Sequence, residues 1–154
     1  MIEPQTIVNT EDQNHKSVLC DLITISDESI LCSGWLKINS VIHLLDALVI
    51  ASNNNASVTI ISNFKDTHKG ASREISKLQR VRHITTKPEN RMLHSKVYYF
   101  RIGNQYTAIV GSANLTEGGL ISNDEFSIKL QGTLGDQHHK QIKGYLDRLI
   151  RELG

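Results

Sequence analysis

Two residues that could do chemistry stand close together in this chain. His94 and Lys96 flank a serine, just ahead of the aromatic run Tyr98-Tyr99-Phe100. A polar turn follows, Gly111-Ser112-Ala113-Asn114, and then Asn123-Asp124-Glu125. On a β-strand, residues two apart point to the same face, so a strand here sets His94 beside Lys96. Imidazole can act as nucleophile or general base, an ammonium is a fixed positive charge, and a Gly-Ser-x-Asn turn is rich in hydrogen-bond donors. Such a set suits attack on phosphorus without help from a metal.

The elements that must position these groups read as alternating strands and helices. Residues 1–14 are polar and are expected to fray. Val18, Leu19, Leu22, Ile23 and Ile25 mark an apolar segment whose spacing leaves helix and strand open, and residues 30–38 read as a strand. Ser40 is a plausible N-cap for a helix carrying Val41, Leu44, Leu45, Leu48 and Val49, ended by the asparagines 53–55. Residues 57–62 form a short β-branched run, as expected of a buried parallel strand. A second helix is expected over about 69–81, with a strand over 82–86. Strands at 93–102 and 106–111 are joined by Gly103-Asn104, a hairpin signal, and another covers 126–130. Ile142, Tyr145, Leu146, Leu149, Ile150 and Leu153 make an apolar stripe for a final helix. The expected architecture is α/β, a mixed β-sheet flanked by helices, with residues 1–154 as a single domain.

The string His94-x-Lys96 followed by Gly111-Ser112-x-Asn114 resembles the HxK…GSxN half-motif of the phospholipase D superfamily. The continuation Leu115-Thr116-Glu117-Gly118-Gly119-Leu120, with Glu125 eleven positions after Asn114, is similar to its nuclease branch, which includes restriction endonucleases. The resemblance implies a phospholipase D-like fold and a catalytic set of His94, Lys96, Asn114 and Glu125. His94 would form a phosphohistidine intermediate, while Lys96, Asn114 and Ser112 bind the phosphate. Glu125 would accept from the far ring nitrogen of His94. Sites of this family need two such sets, and this chain holds only one: the Gly-Ser-x-Asn turn occurs once, and the His138-x-Lys140 string near the C-terminal end has no such turn after it. A second copy of the chain would supply the other set, giving a homodimer with one composite site on its axis. The family pattern also has an aspartate where this chain has Arg101, and the gap between Lys96 and Gly111 is longer than in its shortest members.

Composition is ordinary for a globular chain, 39% apolar and 21% charged, with a formal net charge of +1. No global field therefore draws in nucleic acid, and a DNA-acting enzyme would need a local patch. Lys65, Lys69, Arg73, Lys77, Arg80, Arg82, Lys87 and Arg91 lie within 27 residues, opposed by Asp66, Glu74 and Glu89. Such a stretch is either a patch for a polyanion or a solvated helix face. Cys20 and Cys32 are expected on strands, as buried free thiols in a reducing compartment. No apolar run approaches the ~20 residues of a membrane span, and no leader pattern is visible, so the chain reads as cytoplasmic. His138-His139 lack the spacing of a metal site, so neither metal nor other cofactor is inferred.

The leading expectation is thus a metal-independent phosphodiesterase acting on DNA, an endonuclease alone or the catalytic part of a restriction enzyme. A phospholipid-acting enzyme using the same chemistry is one alternative. A catalytically silent domain that binds nucleic acid or a partner protein is the other, favoured only by Arg101.

Overall fold

The structure is a computed structural model that describes residues 3–154. In chain order its elements are β1 (Gln5–Val8), α1 (His15–Ile25), β2 (Glu28–Ser33), α2 (Ile38–Asn53), β3 (Ser57–Asn63) and α3 (Lys69–Ser76). There follow β4 (Val81–Thr86), β5 (Lys96–Ile102), β6 (Gln105–Gly111), a π-helical turn at Gly118–Ser122, β7 (Phe126–Thr133) and α4 (Gln137–Leu153). The seven strands form one sheet in the order β1-β7-β6-β5-β2-β3-β4. β2, β3 and β4 run parallel, and the remaining neighbours are antiparallel. The expected mixed sheet flanked by helices is what the chain forms.

Strand alternation sends side chains into two separate cores. Leu31, Ile60, Tyr98, Phe100 and Ile109 pack with α1, α2 and α3 on one face. Ile30, Cys32, Ile61, Val97, Tyr99 and Ala108 pack on the other face with Leu146 and Leu149 of α4. In α2 the buried positions Val41, Leu44, Ala47, Leu48 and Ala51 recur at helical spacing. Asn55 then takes a left-handed φ of 61°, a conformation asparagine tolerates better than most residues, and the chain turns into β3. Gly103 (φ 57°) makes the expected hairpin between β5 and β6.

Several expectations are corrected. Residues 15–25 are helical: Asn14 accepts from Ser17 N–H (2.9 Å) as N-cap, and Val18, Leu19, Leu22 and Ile23 share one buried face. Cys20 is therefore on a helix and half-buried, Cys32 lies buried on β2, and both are free. Burial pushes the Cys32 thiol up to about 11. The N-terminal stretch contributes an edge strand, because β7 offers it an unpaired side and Ile7 an anchor only 4% exposed. Ser40 is not the cap of α2; that position is Lys37, and the Ser40 hydroxyl lies 2.7 Å from the carbonyls of both Lys37 and Leu115. β2 stops at Ser33, since Leu36 leaves the sheet edge to bridge Thr67 and Leu115. α3 ends at Ser76, with Arg80 at φ 61° turning the chain into β4.

Among the described residues α4 is the only helix on its face, and its Leu146 is fully buried. Leu146→Ala is expected to cost about 3 kcal/mol, read as a lowered urea midpoint with an unchanged slope.

Candidate active site

The carboxyl ends of the parallel strands β2, β3 and β4 meet the starts of β5 and β7 and the end of β6 along one edge of the sheet. In the register Ser33 faces Lys96, Val97 faces Val110 and Gly111 faces Ser127. Motif segments far apart in sequence are thereby brought side by side. Open α/β sheets characteristically bind ligands beyond the carboxyl ends of their strands.

His94 does not sit on the strand, as the two-residue spacing suggested. β5 begins at Lys96, and the preceding loop is held by a side chain in place of a strand. The buried Asn63 donates to Leu93 O (2.7 Å) and accepts from Leu93 N–H (2.9 Å), so its amide mimics a backbone partner. His94 and Lys96 are nevertheless neighbours. Lys96 Nζ lies 3.3 Å from His94 Nδ1 and donates to the His94 carbonyl at 2.8 Å. An ammonium can only donate, so Nδ1 is the acceptor in this contact and the imidazole proton resides on Nε2. The His94 ring is exposed, with Nε2 the nitrogen left free of Lys96.

Two sequence assignments change. The Ser112 hydroxyl is committed: it donates to Glu125 Oε2 and accepts from Phe126 N–H (3.0 Å), so it holds the carboxylate instead of waiting for a phosphate. Glu125 Oε1 accepts from Asn123 Nδ2 (3.4 Å). Within one chain Glu125 thus answers Ser112 and Asn123, and it is Lys96, not Glu125, that faces the His94 ring. Asn114 is half-buried, its Oδ1 3.2 Å from Ser33 Oγ, which also accepts from Leu115 N–H (2.9 Å). Tyr98 donates to Ala113 O (2.6 Å) from inside the core and fixes the turn from beneath; burial raises its phenol.

Sequence reasoning missed a buried brace behind this turn. Asn9 Oδ1 accepts from His15 N–H (3.1 Å) and lies 2.7 Å from His15 Nδ1. Because Asn9 Nδ2 is spent on Gly119 O (2.9 Å) and Asn123 O (3.0 Å), its oxygen must face the ring, and Nδ1 carries the proton. His15 Nε2 then accepts from Ser127 Oγ (2.8 Å). The brace ties the N-terminal segment to both ends of the π-helical turn and to the strand beside Gly111. A methyl group at Gly111 would collide with Ser127 Oγ and the Phe126 carbonyl, and one at Gly119 with the Asn114 backbone. No motif flags Asn9 or His15, whose partners lie more than a hundred residues away. Ser33 and Asn63 could have been suspected as the last residues of parallel strands.

The eight cations separate. Lys65, Lys87 and Arg91 gather near the candidate site. Lys77 pairs with Glu74 (2.7 Å), and it and Arg80 lie at the opposite end of β4. Arg101 is at the far end of β5 from Lys96, 3.6 Å from Asp27, and touches none of the site residues. Among the described residues no helix is long and apolar enough to cross a membrane.

The family model described as cardiolipin synthase, PLD-like domain, matches residues 19–150. Among curated proteins none matches by sequence. Among solved structures, NucT from Helicobacter pylori is similar with a TM-score of 0.70 at 16% identity, over 98% of this chain and 97% of that one. Nuc from Salmonella typhimurium, a phospholipase D family member, gives a TM-score of 0.65 at 17% identity, over 97% and 93%. Yeast tyrosyl-DNA phosphodiesterase gives 0.61 at 15% identity, over 99% of this chain and 42% of that one. At such identities the likeness is one of fold.

The brace makes stability pH-dependent. Burial lowers the pKa of His15, partly opposed by the nearby Glu125 charge, and burial alone lowers that of His83. Both resist protonation when folded, while the unfolded chain takes up protons below about pH 6.5. Stability is therefore expected to be full above that pH and to fall as pH drops through the two lowered values, measured as urea midpoints from pH 8 to 5. His15→Ala should cost about 2–3 kcal/mol and leave only the His83 share of this dependence.

Proposed function

Because the chain belongs to the phospholipase D-like family, its model covering residues 19–150, we propose that it is a metal-independent phosphodiesterase acting on DNA through a homodimeric site. The observation that carries this reading is the meeting of His94, Lys96, Asn114 and Glu125 at one sheet edge, in a chain holding a single motif copy. The set supplies a nitrogen nucleophile, a fixed cation and an amide donor, which are the needs of phosphoryl transfer.

In this scheme an incoming phosphate draws Lys96 from His94 Nδ1 to its own non-bridging oxygens. The ring can then shift its proton to Nδ1 and attack phosphorus through Nε2. The nitrogen–phosphorus bond forms as the bond to the leaving oxygen breaks, and His94 of the second copy gives that oxygen its proton. The same residue next deprotonates water, whose attack returns His94 free. Asn114 donates to the oxygens where charge builds, and Glu125, steadied by Ser112 and Asn123, stabilises an imidazolium. Ser112 thus acts through Glu125 and not on the phosphate.

DNA as substrate is supported by the fold likeness to a tyrosyl-DNA phosphodiesterase and by the cations beside His94. An endonuclease, alone or serving a restriction enzyme, is the form proposed, within a single catalytic domain over 1–154 working in the cytoplasm. The family's description as cardiolipin synthase favours a second reading, the same chemistry on a phospholipid.

Cleavage of plasmid and oligonucleotide DNA is expected to persist in excess EDTA and to fall at least about a thousandfold in His94→Ala. Strict dependence on added Mg²⁺ would sink the histidine mechanism, and headgroup release from vesicles without DNA cleavage would select the lipid reading. Sedimentation should give a dimer; a fully active monomer contradicts the shared site.

A further inference from the structure

We infer that a track leading away from His94 over the ends of β3 and β4 binds a single strand of nucleic acid, with Phe64 as a stacking platform for one unpaired base. This deepens the proposed DNA reading, and rests on it for the class of polymer.

Three clefts follow one another along this edge. The first, about 470 Å³, is lined by His94, Arg91 and Met92 together with Arg148 of α4, which is engaged by Glu152 at 2.8 Å. The second, about 300 Å³, shares Arg91 and Met92 with it and adds Lys87, Phe64 and Lys65. The third, about 490 Å³, shares Phe64 and Lys65 and adds Lys69, Thr67 and Ser72. A phosphate at His94 would leave its neighbouring phosphates to Arg91, Lys87, Lys65 and Lys69 in turn.

None of these four cations forms an ion pair among the described residues. The one carboxylate lining the middle cleft, Asp66, is held by Asn63 Nδ2 at 3.2 Å. Within this basic track Phe64 is 62% exposed and Met92 67%, although a folded chain gains nothing by showing both to water. Phe64 is also fixed from behind. Its N–H donates to Thr86 Oγ1 (3.4 Å), which bonds Asn63 Oδ1 (3.2 Å), and Asn63 clamps Leu93 next to His94. Platform and nucleophile are therefore joined through one buried asparagine.

Cations alone suit any polyanion. An exposed aromatic ring between two basic clefts adds affinity only where a base shows its flat face, which a duplex hides inside its stack. The middle cleft is at the lower limit of small-ligand pockets, a size for one residue of a strand. The chemistry thus selects an unpaired strand.

Binding can be read without catalysis, using the 154-residue chain with His94→Ala and labelled oligothymidylate, with a duplex of equal length and anionic phospholipid vesicles as comparison probes. Oligothymidylate should bind more tightly than duplex, and Phe64→Ala should weaken it about tenfold while leaving duplex binding unchanged. Replacing Lys65, Lys87 and Arg91 by alanine should reduce the salt slope on the single strand by about two. Thermal melting of Phe64→Ala should be unchanged, since the ring is exposed. Equal losses on both DNA forms, or none, would overturn the track, as would vesicle binding that depends on Phe64. Cleavage of DNA with no effect of Phe64→Ala would reject the track and keep the nuclease; binding as expected without turnover would do the reverse.

Discussion

The antiparallel pairing of β5 with β2 is the constraint on which the site depends. It joins a parallel half, β2-β3-β4, to an antiparallel half, β5-β6-β7-β1, and runs from Glu28 opposite Arg101 to Ser33 opposite Lys96. A slip of one residue would send Lys96 to the α4 face and Tyr98 and Phe100 out of their core. The correct register is protected by burial on both faces, since Tyr98, Tyr99 and Phe100 are all essentially inaccessible. Their packing is thus what aims Lys96.

Behind the edge, polar side chains do work that secondary structure does elsewhere. Asn63 acts as a strand partner for Leu93, Ser33 ties Leu115 beside Asn114, and Asn9 with His15 closes the far side of the turn. Asn63, Ser33 and His15 are buried, Asn9 is half-buried, and all four are satisfied, which makes the arrangement stiff and costly to disturb. The far end of β5 shows a related economy. Where the family pattern expects an aspartate, Arg101 meets Asp27, whose carboxylate also accepts from Gly103 N–H at 2.7 Å. The carboxylate at this corner is supplied by the turn preceding β2, and the hairpin is held all the same.

What could be read in the sequence follows the range of the interactions involved. β3, β4, the β5–β6 hairpin and α4 were legible because periodicity and turn residues are local. The His94-Lys96 pair and the Gly111–Asn114 turn were legible because their spacing is local too. β1 was missed because a short polar edge strand is defined by its neighbour β7. Helix α1 was ambiguous because its valine and isoleucines suit either structure. The contact between Ser112 and Glu125 was not legible because a hydroxyl and a carboxylate thirteen residues apart do not announce that they will meet. His15 gave no sign at all, its partner Ser127 lying 112 residues away.

That last separation has a consequence for how such a chain is made. The strand nearest the N-terminus pairs only with the last strand, and the brace across Asn9, His15 and Ser127 closes only when β7 is in place. Contacts of this range form late, after the cost of ordering the intervening loops has been met. During synthesis the nascent polypeptide therefore carries His94 and Lys96 for some time before their surroundings are rigid. Until that moment the two groups are present in the chain without the brace that stiffens the edge around them, a delay set by topology alone.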